Sequence, residues 1–275
     1  MKLNPGFRAL CLLPPARARI PASFRNVASD PQQHERLLQQ MQRLRGSVYL
    51  EDGAISTADL SDGRHQVQSD RRSWHLLLLD SAGDVCGCIR YLLHSGDADF
   101  TQLIAAETPL ASCKTWRTVL RSAVKTELEL SRALDVPFIE VGGWAIKEEL
   151  RKTVEALRMV LATYAFSREL GGAIGFTTAT VRHSSSSILR RIGGLSLEAD
   201  GATIPPYEDP MYNCRMEMLR FYSWAPNGRY GVWIRELGRI LRSIPVVCTE
   251  TQDWSNWITP AYQHAGAGQH FSLVS

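Results

Sequence analysis

No run of apolar residues in this 275-residue sequence is long enough to cross a bilayer. The short stretch Ala9-Leu10-Cys11-Leu12-Leu13 is hemmed in by Arg8 and Pro14-Pro15, too short a core for a signal peptide, so the cytoplasm is the expected compartment. Cysteine is scarce. The six, at positions 11, 86, 88, 113, 214 and 248, lack the paired spacings of metal ligands, so reduced, buried thiols are expected and no metal site is. An excess of one charge is missing too: Lys+Arg 31 against Asp+Glu 28 leaves +3, no footing for nucleic acid. There is no Walker-type glycine-rich loop and no pattern that supports a nucleophilic triad. With 44% hydrophobic and 21% charged residues the composition is that of an ordinary globular chain. One domain over residues 1–275 is expected, with its core at about 22–245 and a partly irregular arm (1–21) and tail (246–275).

What is present is a unit, residues 138–193, that reads strand, long helix, strand, short helix. Phe138-Ile139-Glu140-Val141-Gly142-Gly143-Trp144 is β-rich with two glycines inside it, a pattern of bulge or close backbone approach. Ile146, Leu150, Val154, Leu157, Leu161 and Ala165 recur at three- and four-residue intervals and predict one helix over 146–170. Glu148 and Glu149 fall in its first turn, Arg168 in its last, and Gly171-Gly172 stops it. Residues 173–181 form the next strand, and the serine run 184–187 caps a short helix over 188–192. Strand, helix and strand in that order make a crossover between parallel neighbours. If the two splay at the bulge, a slot opens in which backbone N–H groups face a ligand carbonyl or amide. The fold class is α/β, a mixed and partly splayed central sheet flanked by helices, and its order resembles the core of the GNAT-type N-acyltransferases. In that superfamily a thioester-linked pantetheine arm lies between the diverging strands.

Around this unit the chain supplies an edge strand at 22–27, a helix from Pro31 to near Gly46, and a polar loop or lid at 51–70. A hairpin follows, 74–79 and 85–94, on the turn Asp80-Ser81-Ala82-Gly83-Asp84. Helices are predicted at 116–134 and 230–244, and a half-buried strand at 214–222.

The motif order sharpens the resemblance. Arg45-x-x-Val48-Tyr49, an acidic loop, Asp70-x-x-Ser73-Trp74-His75, Gly87-Cys88-Ile89-Arg90-Tyr91 and Glu140 follow one another as in the acyl-homoserine-lactone synthases. The late run Tyr207-Glu208-Asp209-Pro210-Met211-Tyr212-Asn213-Cys214-Arg215 is more similar to long-chain N-acyl amino acid synthases and exosortase-associated acyltransferases. The likeness covers about residues 35–245. It implies transfer of a long fatty acyl group from acyl carrier protein to the amine of an amino acid or similar acceptor. The acyl-phosphopantetheine of the carrier is the donor, and no cofactor is held permanently. Where the lactone synthases have Ser-Arg after the glutamate this chain has Gly142-Gly143, which weakens a lactone product. An autoinducer synthase and a non-catalytic acyl-binding module remain the alternatives.

Aminolysis of a thioester needs a neutral amine, donors for the developing oxyanion and a proton acceptor. Glu140 is the candidate base, with the backbone around Gly142, Gly143 and Trp144 as oxyanion donor; the competing reading of Glu140 is an ion pair with a nearby arginine. Arg45, Tyr49, Asp70, Trp74, Arg90 and His183 are the candidate acceptor-binding set. For Arg45 and Arg90 the competing reading is structural pairing with Asp59, Asp62 or Asp70, and His75 reads as a core or rim histidine. Arg151, Lys152, Arg182, Arg190 and Arg191 could form a basic patch for an acidic carrier protein. Glu148 and Glu149 at a helix start would repel the pyrophosphate of free coenzyme A, favouring the carrier. A peripheral membrane contact for product release is also expected.

Overall fold

The computed structural model describes residues 8–182 and 184–250. The strands are β1 (Ala9–Leu13), β2 (Asn26–Ser29), β3 (Trp74–Leu79), β4 (Val85–His94), β5 (Phe138–Ile146), β6 (Ile174–Thr180), β7 (Leu195–Ser196), β8 (Glu198–Ala199), β9 (Ala202–Thr203), β10 (Tyr207–Asp209), β11 (Cys214–Tyr222) and β12 (Pro245–Cys248). The helices are α1 (Pro31–Glu51), α2 (Pro109–Ser112), α3 (Arg117–Ala133), α4 (Val154–Glu169), α5 (Ser185–Ile192) and α6 (Gly231–Leu241). The main sheet runs β10-β11-β6-β5-β4-β3-β1-β12-β2, with β7 beside β11; β8 and β9 form a separate ribbon.

Two apolar layers flank this sheet. On one face α4 and α6 bury Met159, Leu161, Phe166, Ile234 and Leu237 against Leu76, Ile89 and Ile139. On the other, α3 and α1 make two separate clusters, one around Val124, Phe138 and Phe176, the other around Leu37, Leu77 and Cys88. The gap between those two clusters is where Arg90, His94 and Glu140 project.

Within the arm and the tail, expected to be partly irregular, β1 is an interior strand between β3 and β12, and β12 lies between β1 and β2. Leu10 and Leu12 enter one core layer, Cys11 and Leu13 the other. With both faces buried, no polar alternation marks the strand. The edge strand expected at 22–27 sits instead at β2, pinned in parallel to β12 from Asn26 to Ser29. A further correction concerns helix ends. The first helix continues past Gly46 to Glu51, because a Cβ at Gly46 would lie 3.0 Å from Leu60 and 3.1 Å from the Gly63 carbonyl, so the glycine admits the packed 57–65 segment and does not end the helix. The long helix begins at Val154, where Thr153 accepts the Glu155 N–H at 3.2 Å as N-cap. Glu148 and Glu149 belong to a separate 3-10 turn, Glu148–Leu150. They do not face an anion at the α4 N-terminus, and the inference against free coenzyme A falls with that placement.

Candidate functional site

Strands β5 and β6 are parallel and in register from Phe138 opposite Ile174 to Val141 opposite Thr177. Beyond that they part. On its other edge β5 stays paired with β4, where Arg90 faces Gly142 and Cys88 faces Ala145. Ile89 alone therefore opposes both Gly143 and Trp144, a bulge that the Gly143 φ of +62° makes. The glycine pair thus marks the place where β5 turns away from β6, and the β6-facing backbone groups of 142–146 have no strand partner.

A cavity of about 490 Å³ fills the parting and passes through the sheet. Val160, Thr163 and Tyr164 of α4 line it on one face together with Leu189 and Phe221, and Ile104, Ala105 and Thr108 line it on the other together with Met218. Its size suits a small-molecule or acyl-chain site. Glu140, Gly142, Gly143, Trp144, Tyr49 and Arg90 all border it. The indole Nε1 of Trp144 is buried without a hydrogen-bond partner.

Arg45 and Arg90 lie on either side of the bulge, and a Cβ on Gly143 would lie 3.5 Å from Arg45 Nη1 and 3.4 Å from Arg90 Cβ. Their environments differ. Arg45 donates to Asp70 Oδ1 at 2.9 Å and Oδ2 at 2.6 Å, and to the His65 carbonyl at 2.5 Å. Asp70 also accepts from Gln42 at 3.1 Å and from the Val67 N–H at 3.2 Å. Burial works against charge on both partners, but the paired hydrogen bonds outweigh it: Asp70 is held below the usual carboxylate range and Arg45 above the usual guanidinium range. Of the three aspartates open as partners, Asp70 is the one Arg45 uses, and both lie behind the cavity wall. Arg90 has no carboxylate within ion-pair reach among the described residues; Nη1 donates to Ser69 Oγ at 2.8 Å and Nε has no partner. Burial first, then the Arg45 charge, hold it below the usual range. Tyr49 packs edge-on against Tyr212 at 6.0 Å beside it, both phenols raised by burial.

Glu140 is fastened. Oε1 accepts the Ala105 N–H at 2.9 Å; Oε2 accepts the Ile104 N–H at 2.8 Å and lies 2.8 Å from His94 Nε2. The carboxylate thus holds the first N–H groups of the Ile104–Glu107 turn against the cavity. Glu140 borders the cleft, and its side-chain partner is His94; no arginine lies within ion-pair reach of it among the described residues. Trp74 is elsewhere: it is buried against Phe166, ring centres 5.1 Å apart, in the α4 layer, because alternation along β3 turns it away from the Arg90 face. His75, its neighbour, bonds the Asp70 carbonyl at 2.8 Å and is wholly buried, as a core histidine. His183 lies outside the described residues.

The basic residues expected to receive a carrier protein are partly engaged within the chain. Arg151 pairs with Asp52 at 3.2 Å and Glu51 at 3.5 Å, and Arg182 donates to the Asp52 carbonyl at 2.6 Å. Arg190 is bound to Glu217 and to Ser196 Oγ. Lys152 and Arg191 are exposed.

Sequence reasoning missed His94, Tyr212 and the 104–105 turn. The His94 contact was within reach of the two-residue period. Arg90, Leu92 and His94 share one strand face, and in an antiparallel pair with Leu92 opposite Glu140 the diagonal neighbour is His94.

No protein-family model matches the sequence, and no curated protein matches it. Solved structures do. The CoA-dependent acyl-homoserine lactone synthase BjaI, determined with SAM and isopentyl-CoA, aligns over 90% of this chain and 96% of its own at TM-score 0.54 and 14% identity. The fold is GNAT-like. The lactone synthase LasI (16% identity, 74% of this chain and 89% of its own, TM-score 0.45) and FeeM, an N-acyl amino acid synthase from uncultured soil microbes (16%, 70% and 88%, TM-score 0.40), also align with it. The splayed, mixed α/β sheet expected from the sequence is thus present in the chain.

Proposed function

We propose that the protein is a cytoplasmic N-acyltransferase that moves a long-chain acyl group from acyl carrier protein to the amine of an amino acid or similar small acceptor. One observation carries this reading: the cleft that opens where β5 leaves β6 joins apolar walls to a half-buried cation, Arg90, that has no carboxylate partner among the described residues. A thioester arm fits the gap between the strands, an alkyl chain fits the apolar wall at Leu189 and Phe221, and an acceptor carboxylate complements Arg90.

In the reaction the neutral amine nitrogen attacks the thioester carbon, the oxygen becomes an oxyanion, and the C–S bond breaks to leave the pantetheine thiol. The unpaired N–H groups after Val141 are the donors for the oxyanion. Glu140 has lone-pair capacity beyond its three hydrogen bonds; it takes the amine proton through a water and returns that proton, through the same water, to the departing thiolate. The fastening of Glu140 favours a second reading, an acyl-binding module without turnover.

Purified protein is incubated with palmitoyl-loaded acyl carrier protein, or with palmitoyl-coenzyme A, and a pool of amines including S-adenosylmethionine, and products are read by mass spectrometry. An N-acyl amino acid formed from the carrier donor is expected. A lactone product, or turnover from coenzyme A alone, overturns the acceptor or donor assignment; acyl binding without product supports the module.

A further inference from the structure

At the zipped end of β6, away from the cleft mouth, the surface changes character. Three large apolar side chains stand in solvent within ten residues: Trp224 (45% exposed), Val232 (66%) and Trp233 (46%). Trp224 stacks on Tyr222 with ring centres 5.4 Å apart and borders Gly172. The helix that follows, α6, turns Ile234, Leu237 and Leu241 into the core, so Val232 and Trp233 face away from the layer that holds the helix.

Cations surround them. Arg229 lies over the Tyr230 ring at 5.7 Å, Arg235 folds back to within 3.6 Å of the position of a Cβ on Gly231, and Arg168 donates to the Ser223 carbonyl at 3.1 Å. Burial first, then the charge of Arg235, hold Arg168 below the usual guanidinium range. None of the three has a carboxylate within ion-pair reach among the described residues. The acids nearby are already matched, Glu236 to Arg239 at 2.9 Å and Glu169 to Arg242 at 3.1 Å.

We propose that this face is a docking surface for an anionic lipid bilayer. Tryptophan and tyrosine at the headgroup level, an aliphatic residue beyond them and unpaired arginines among them are the composition that an interfacial site requires. An acidic protein would meet the arginines as well, but the carrier must deliver its arm between the parted ends of β5 and β6, and the Trp224 end of the sheet is the opposite one. The cavity wall, in contrast, is close by. Tyr164, which lines the cavity, and Pro226, two residues beyond Trp224, both lie 3.0 Å from the position of a Cβ on Gly193. The surface is independent of the proposed activity, and its test needs no turnover.

The full chain is sedimented with vesicles of phosphatidylcholine, with and without phosphatidylglycerol. Binding to the anionic vesicles is expected, weakened about a hundredfold by Val232→Glu with Trp233→Glu and about fivefold by each of Arg229→Gln and Arg235→Gln. Circular dichroism checks that the variants fold. On the otherwise unaltered chain, brominated lipid should quench tryptophan emission, and Trp224→Phe with Trp233→Phe should remove that quenching. No vesicle binding, equal binding to both vesicle types, binding that survives the Val232/Trp233 change, or a dimer that this change converts to monomer would each overturn the proposal.

Discussion

Arg45 and Arg90 flank one glycine, are both largely withdrawn from water, and do opposite work. Arg45 is tied to both oxygens of Asp70 and to the His65 carbonyl, and Asp70 in turn to Gln42 and the Val67 N–H, in a network behind the cleft that leaves Nε of Arg45 without a partner among the described residues. Arg90, one strand away, keeps a single hydroxyl partner and borders open volume. A buried guanidinium without a counterion is costly, and folds keep one where a ligand supplies the anion. The first arginine holds the wall, and the second is the one we propose to meet the acceptor's anion.

Breaking the Arg45–Asp70 network should have the largest effect. Asp70→Ala leaves Arg45 buried and unpaired and should cost about 4 kcal/mol of stability in urea denaturation. His75, behind Asp70, offers a graded version of the same test. Burial holds its pKa down to about 4 from 6.5, so the unfolded chain takes up that proton below pH 6.5 and the folded chain only near pH 4. The stability associated with neutral His75 is complete above pH 6.5 and falls as pH drops towards 4, by on the order of 3 kcal/mol. Plots of stability against pH should be flatter over this window for His75→Leu. Gly143→Ala sharpens the comparison at the bulge itself, where a side chain at φ +62° costs about 1–2 kcal/mol, read in the same melts. The smallest effect is expected for Arg90→Met. Removing a cation that has no counterion among the described residues should leave stability within about 1 kcal/mol of the parent, or raise it; a loss as large as that of Asp70→Ala would erase the distinction between the two arginines.

The hairpin of β3 and β4, the helix α3, the strand β11 and the β5-α4-β6 crossover were legible because each is written locally, in periodicity and turn chemistry. The strands β1 and β12 were not. Five and four residues long, buried on both faces, they are specified by partners far along the chain: Ala9 pairs with Leu79, Val246 with Leu12. The site divides in the same way. Gly142-Gly143 announced the bulge from sequence, and the order of Arg45, Arg90 and Glu140 announced a polar cluster. Which aspartate closes on Arg45 depends on how the 51–70 segment packs over Gly46, and Trp74 was misplaced because strand alternation fixes two faces without saying which one holds the cleft. The Glu140 partners at 104–105 lie in a 3-10 turn whose position no local pattern fixes.

The most direct measurement compares kcat/KM for an amino acid acceptor with that for its carboxamide, in the parent protein and in Arg90→Met. The parent should prefer the carboxylate by about a hundredfold, and Arg90→Met should lose most of that preference while still acylating the amide. Equal use of the two acceptors by the parent, or a preference that survives Arg90→Met, would contradict the assignment of Arg90 and the cleft beside it to an anionic acceptor.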